Sequence, residues 1–305
     1  MIETALVKKF DYHRPWLYPR QLDAIFCPHR MAIVEASTKS GKTLACIIWI
    51  VEQALAGKDG WNYWWVAPVS GVSKIAFRRL LRQLSREAIV DRNLAELTAT
   101  LINGTIIWFK SADNPDSLYG EDVYGVVLDE ASRMKEEAWN AVRSTVTATK
   151  GPIRIIGNVK GKLNWAYKLA RRYEHDTSGR VKVSKITWRD AVAAGVIEEQ
   201  EVKDAENDLP ELIFRELYEA EASDDGSNPF GNTSILNCIR RGLGTGEPKV
   251  WGWDLAKSHD YTVGVALDAT GQVCRFVRFQ KPWKETAAKI LELTGRTWAL
   301  VDSTG

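Results

Sequence analysis

Ala36-Ser37-Thr38-Lys39-Ser40-Gly41-Lys42-Thr43 lies between two apolar runs. Met31-Ala-Ile-Val-Glu35 before it predicts a buried strand. Leu44-Ala-Cys-Ile-Ile-Trp-Ile-Val51 after it has no Gly or Pro and predicts a buried helix. The octet is therefore a strand-to-helix turn. The first amides of a helix have no internal partner and point at an anion. In that setting Gly41 lets the backbone approach phosphates, Lys42 reaches the β- and γ-phosphates, and the Thr43 hydroxyl can ligate magnesium. Ser37, Thr38, Lys39 and Ser40 complete the cradle. The usual first Gly is Ala36 here, so the pattern is a variant; a plain tight turn with exposed lysines is the alternative.

The length of 305 residues suggests two domains, and a hydrophobic fraction of 45% is ample for their cores. With 41 basic and 39 acidic residues, any nucleic-acid surface must be a local patch. Cys27, Cys46, Cys238 and Cys274 are scattered and lack zinc spacing, which fits a reducing compartment better than a disulfide framework. The N-terminus carries no secretory signal pattern, and no apolar run is long enough to span a bilayer. The 13 tryptophans are spread along the chain and are expected mostly in cores.

Gln21, in Tyr18-Pro-Arg-Gln21, precedes the phosphate loop by about one helix and can pair with both edges of adenine; a surface helix start is the alternative. Asn62 to Ala67 predicts a second strand. Lys74 to Ala88 predicts an amphipathic helix with Ile75, Leu80, Leu81 and Leu84 on its apolar face. Arg78, Arg82 and Arg86 recur every four residues, with Arg79 beside them, as a basic ridge suited to a DNA backbone or as a solvated face.

Val123 to Asp129 predicts a strand buried on both faces that ends in two acids, Asp129 and Glu130. In a phosphate-loop ATPase such a strand delivers an aspartate to the magnesium shell. Glu130 is then placed to orient and deprotonate the attacking water. The same acids could instead cap a helix over Met134–Thr149. Pro152 to Asn158 predicts another buried strand; Gly157-Asn158 at its end could sense the γ-phosphate, or form a plain turn.

The order of these parts resembles the large terminase subunit of tailed bacteriophages, the motor that packages DNA into proheads. The resemblance runs over essentially the whole chain: Gln21, Ser37–Thr43, Asp113-Asn-Pro-Asp-Ser-Leu-Tyr-Gly120, Val127-Leu-Asp-Glu-Ala131 and Ile155-Ile-Gly-Asn158. It continues through Leu209–Ala220 and Asn228-Pro-Phe230, similar to the family's linker, and Trp251–Val263, similar to the opening of its nuclease domain. Two departures touch the chemistry. Many members carry an arginine four residues before the loop lysine, where this chain has Thr38, and an Arg-Gly where it has Tyr119-Gly120. Lys39 is the nearest replacement cation, acting from its own loop or from a neighbouring subunit.

Beyond the acidic helical stretch Glu198–Asp225 and the linker Gly242–Pro248, three strands are expected over Val250–Ala256, Tyr261–Leu267 and Val273–Phe279. A helix over Lys284–Leu293 and a strand over Thr297–Val301 follow. This is the start of a ribonuclease-H-like fold, in which Asp254 and Asp302, assisted by Asp260, would meet at a pair of magnesium or manganese ions. Aspartates at strand ends are also common turn formers.

The expected architecture is α/β: a RecA-like (ASCE) P-loop ATPase domain with a central, mainly parallel sheet over residues 1–195, an acidic helical lid and linker over 196–247, and an incomplete ribonuclease-H-like domain over 248–305. The resemblance implies ATP and Mg2+ as cofactors. It implies double-stranded DNA, portal protein and the small terminase subunit as partners. It also implies a homo-oligomeric ring on the prohead at the portal vertex in the host cytoplasm, with a monomer in isolation and no membrane association. Because the sequence stops three residues after Asp302, ATP hydrolysis with poor DNA cleavage is expected. A helicase-like ATPase without cleavage and a non-catalytic docking module are the competing functions. The first would need a second phosphate-loop-like domain downstream, where the Asp254 strand pattern stands instead.

Overall fold

The computed structural model describes residues 12–223, 242–256 and 260–302. Asn228-Pro-Phe230, Cys238 and residues 257–259 lie outside them. The chain divides into two compact units, Met1–Pro229 and Phe230–Gly305.

The first unit is built on an eight-stranded sheet of order β3-β4-β5-β2-β6-β7-β1-β8. Its strands are β1 (Met31–Ala36), β2 (Asn62–Ala67), β3 (Ile89–Asn93), β4 (Thr98–Leu101), β5 (Ile106–Ser111), β6 (Val123–Asp129), β7 (Ile153–Gly157) and β8 (Val181–Ile186). From β5 to β8 the pairing is parallel; β3, β4 and β5 pair antiparallel. Parallel strands are covered on both faces, so their side chains alternate between two cores. Ala32, Val34 and Ala36 of β1 enter one core with Ile47 and Trp49, while Met31 and Ile33 enter the other with Val142 and Leu169. The continuous apolar runs seen in the sequence are this two-sided burial.

Helices α1 (Pro19–Ile25), α2 (Lys42–Leu55), α3 (Ser70–Gln83), α4 (Glu136–Thr145), α5 (Trp165–Tyr173), α6 (Trp188–Ala193), α7 (Glu199–Asp208) and α8 (Glu211–Phe214) complete the unit. The last runs on as a wider turn over Arg215–Glu219. Two helices differ from expectation. The predicted Lys74–Ala88 helix starts earlier and stops at Gln83, where Leu84 turns extended, so Arg86 falls in a separate short turn, off the helical ridge. Its buried face is Ser73, Ala76, Phe77 and Leu80, and Ile75 is 50% exposed. The helix expected over Met134–Thr149 is the shorter α4.

The second unit has a four-stranded sheet of order β11-β10-β9-β12. Strands β9 (Val250–Asp254), β10 (Thr262–Leu267) and β11 (Val273–Phe279) form an antiparallel meander, and β12 (Trp298–Asp302) runs parallel to β9. Between them lies α9 (Trp283–Thr294). Its Ile290 and Leu293 pack on a small core of Trp251, Trp253, Ala266 and Cys274. Trp283 and Trp298 are exposed, as is Trp16 in the first unit, while Trp49, Trp64, Trp65, Trp165, Trp251 and Trp253 are buried in cores. The described cysteines Cys27, Cys46 and Cys274 are free and buried. No helix among the described residues is long and apolar enough to cross a membrane.

Candidate nucleotide site

Three adjacent strands, β6, β7 and β1, end together, and ligands of open α/β sheets bind outside such carboxyl ends. The loop after β1 turns into α2 at Gly41, whose φ of +74° is left-handed. A Cβ there would lie 2.5 Å from Gln21 Nε2, so both the conformation and the close approach require glycine. Gln21 is itself buried: its Nε2 donates to Ser40 O (3.1 Å) and its Oε1 accepts from Tyr18 N (3.3 Å). Tyr18 Oη donates to the same Ser40 carbonyl at 2.7 Å. The amide that the sequence offers to adenine is thus occupied in buttressing the phosphate loop.

Within the loop, Ser37 O accepts from Ser40 Oγ (2.8 Å) and from Lys42 Nζ (3.4 Å). Lys42 is buried and reaches two further groups: Glu130 Oε1 at 3.3 Å and Asn158 Oδ1 at 3.5 Å. Glu130 sits in a left-handed conformation at φ 54° just past β6. Its turn presses on the end of β7, where a Cβ on Gly157 would meet Ala131 N at 3.1 Å and Glu130 Cα at 3.2 Å. Glycine at 157 therefore permits the approach that sets Asn158 beside Lys42.

Asp129 is almost fully buried, and its Oδ1 has no hydrogen-bond partner. Burial first, and the neighbouring Glu130 charge second, push its carboxyl up to about 7 against the pull of Lys42 and Arg79. An orphaned buried carboxylate oxygen and the Thr43 hydroxyl border one cavity, a donor set that fits a magnesium ion sharing its shell with phosphates and water. The cavity has a volume of about 360 Å3. Thr38, Lys39, Gly41, Lys42 and Thr43 of the loop, Asp129 and Glu130 after β6, and Val72, Ile75, Ala76 and Arg79 of α3 line it.

Two contributors are not apparent from the sequence. Leu217, in the turn after α8, lends its carbonyl to Thr38 N (2.6 Å) and to Asn158 Nδ2 (3.2 Å), so this segment is strapped onto the phosphate loop. Glu216 fastens it through Gly161 N (2.8 Å), and Glu219 through Trp188 Nε1 (2.9 Å) and Arg189. Arg154 is the second. Buried in β7 without a carboxylate partner among the described residues, it donates to the carbonyls of Ile25, Cys27, His29 and Ile153. It thereby ties the end of α1, and with it Gln21, to the sheet. Its guanidinium also lies 4.4 Å from the Trp49 ring centroid.

Arg78, Arg79, Arg82 and Arg86 are all exposed. Arg78 and Arg82 stand one turn apart on α3, whereas Arg79 faces the cavity. In the second unit Asp302 is paired in register with Asp254 across adjacent parallel strands. Asp260 lies instead near Ala256, Thr262 and Trp283. Among the described residues no group of three or more His, Cys, Asp or Glu could hold a metal ion. No metal chemistry is derived for this unit.

A model of the phage terminase large subunit family matches residues 29–209. The large terminase subunit of Thermus virus P23-45 is 26% identical, over 88% of this chain and 64% of its own length. The chain thus spans less than two thirds of that relative. Among solved structures, the ATPase domain of the Thermus phage P74-26 large terminase superposes with a TM-score of 0.59 at 22% identity, over 68% of this chain and 94% of that one. The HK97 bacteriophage large terminase superposes with a TM-score of 0.60 at 16% identity, over 95% of this chain and 70% of that one. These likenesses establish the fold of the first unit as that of a terminase ATPase domain. With more than half its length matched by the family model, the chain belongs to the phage terminase large subunit family.

Proposed function

We propose that the chain hydrolyses ATP to drive double-stranded DNA in phage genome packaging. One observation carries the reading: Lys42, in the loop after β1, reaches both Glu130 and Asn158, which follow the adjacent strands β6 and β7. ATP enters with its phosphates on the amides after Ser37 and against Lys42. Thr43 and Asp129 would hold Mg2+, which neutralises charge on the β- and γ-phosphates. Glu130 takes a proton from the attacking water, whose oxygen bonds the γ-phosphorus as the bond to the bridging oxygen breaks and ADP leaves with the electron pair. Asn158, released from Lys42 when the lysine turns to phosphate, registers the γ-phosphate. Through Leu217 it passes that state to the helical segment.

Residues 1–195 form the ATPase domain in this reading, 196–247 the acidic lid and linker, and 248–305 the opening of a ribonuclease-H-like domain. The β11-β10-β9-β12 order, with β12 parallel to β9 and Asp302 beside Asp254, supports the last assignment. Portal protein, the small terminase subunit and further copies of the chain in a ring are the proposed partners, at the prohead portal vertex in the host cytoplasm. Phosphate release from ATP, with and without duplex DNA, tests the proposal. Turnover that rises with duplex DNA supports it, and turnover indifferent to duplex DNA overturns the motor assignment.

A further inference from the structure

Val72, Ile75, Ala76 and Arg79 are spaced i, i+3, i+4, i+7 on α3 and so form one stripe of the helix. All four line the cavity that also holds Lys42, Asp129 and Glu130. This placement accounts for the half-exposed Ile75: it faces the open cavity rather than the core. Arg78 and Arg82, i, i+4 neighbours on the same helix, do not line it.

The cations around the cavity are not equivalent. Lys42 is engaged with Glu130, Asn158 and the Ser37 carbonyl. Arg133 approaches Glu130 Oε2 at 3.8 Å but is not part of the cavity wall. Lys39 and Arg79 both line it and make no hydrogen bond or ion pair among the described residues. Arg79 lines the cavity together with the acid pair Asp129 and Glu130. It thus borders the space where the γ-phosphoryl group must lie if Glu130 activates the water. Its planar guanidinium can also engage two phosphoryl oxygens at once, which a lysine ammonium cannot.

We propose that Arg79 is a catalytic residue that contacts the γ-phosphoryl oxygens in cis, supplying from α3 the cation that neutralises charge as the terminal phosphoryl group passes from ATP to water and ADP leaves. The inference rests on the ATPase reading above and replaces both the DNA contact expected for Arg79 and the catalytic role expected for Lys39. The two wild-type arginines Arg78 and Arg82 keep the DNA-facing assignment.

The test compares wild type with Arg79→Ala, Arg79→Lys, Lys39→Ala and Lys42→Ala, without DNA, in two measurements. One is phosphate release from ATP. The other is equilibrium binding of a fluorescent ADP, alone and with aluminium fluoride to mimic the transferring phosphoryl group. Arg79→Ala is expected to lose on the order of a thousandfold in turnover, as for other such arginines. It should bind ADP like wild type, which also shows that it is folded, and should fail to tighten with aluminium fluoride. Arg79→Lys should recover turnover in part, and Lys39→Ala should lose less turnover than Arg79→Ala and still tighten with aluminium fluoride. If Arg79→Ala turns over and traps ADP–aluminium fluoride like wild type while Lys42→Ala is dead, the Arg79 proposal is overturned and the ATPase reading stands. If Lys42→Ala hydrolyses ATP as fast as wild type, the ATPase reading itself is overturned.

Discussion

Lys42 Nζ lies 3.3 Å from Glu130 Oε1, so the buried loop lysine and the partly buried acid proposed to activate water form one ion pair. The pair offsets part of the cost of burying the lysine's charge. ATP must draw Lys42 toward phosphate and leave Glu130 free to accept a proton. Lys42→Ala is therefore expected to abolish turnover and to weaken ATP binding at least tenfold, about 1.4 kcal/mol or more. Equilibrium dialysis against ATP checks the second part, and unchanged affinity would mean that Lys42 does not meet the phosphates.

Asn158 joins Lys42 to the Leu217 carbonyl and also donates to Ala36 O at 2.9 Å. Asn158→Ala should leave ATP binding within about threefold of wild type, since one neutral hydrogen bond contributes little net. It should loosen the 211–223 segment. Amide hydrogen exchange with and without ATP analogue reads this directly: wild type should show nucleotide-dependent protection around Leu217, and the variant should not. Equal protection in both would remove Asn158 from the coupling path.

Arg154 satisfies buried carbonyls at Ile25, Cys27 and His29 and stacks over Trp49. Arg154→Leu leaves those acceptors unpaired, which costs about 3 kcal/mol or more. A thermal melt should show a fall of roughly 6–12 °C for a unit of this size. A change under 2 °C would show that the guanidinium is not what ties α1 to the sheet.

Arg78 and Arg82 are the part of the basic ridge that lies on α3. If they touch duplex phosphates, replacing both by Gln should lower the slope of log affinity against log salt by about two. DNA-free ATP turnover should persist. Fluorescence anisotropy across a salt series measures the slope, and an unchanged value would make the ridge a solvated face.

Much of this site was legible because local rules suffice for it. The strand-loop-helix around Gly41 and the acid pair ending β6 follow from apolar runs closed by the right polar residues, and both are found where expected. What failed depends on long-range packing. Ile75 belongs to the predicted apolar face yet is half exposed, because periodicity locates an apolar stripe but not an open cavity beside it. Arg86 left the ridge because the chain turns extended at Leu84, with neither Gly nor Pro to mark the stop. Arg154 reads as an ordinary mid-strand charge, since its partners are carbonyls more than 120 residues away in sequence. The strap from Leu217 is likewise a backbone contact that composition cannot register.

The central claim is that the cavity between the phosphate loop and the end of β6 hydrolyses ATP, with Glu130 activating water. ATP binding and phosphate release by Glu130→Ala, measured beside wild type in one preparation with magnesium and duplex DNA, tests it most directly. The account predicts that the variant binds ATP as tightly as wild type, or more tightly because Lys42 is freed, and releases phosphate at least a hundredfold more slowly. Phosphate release at the wild-type rate from Glu130→Ala would contradict it.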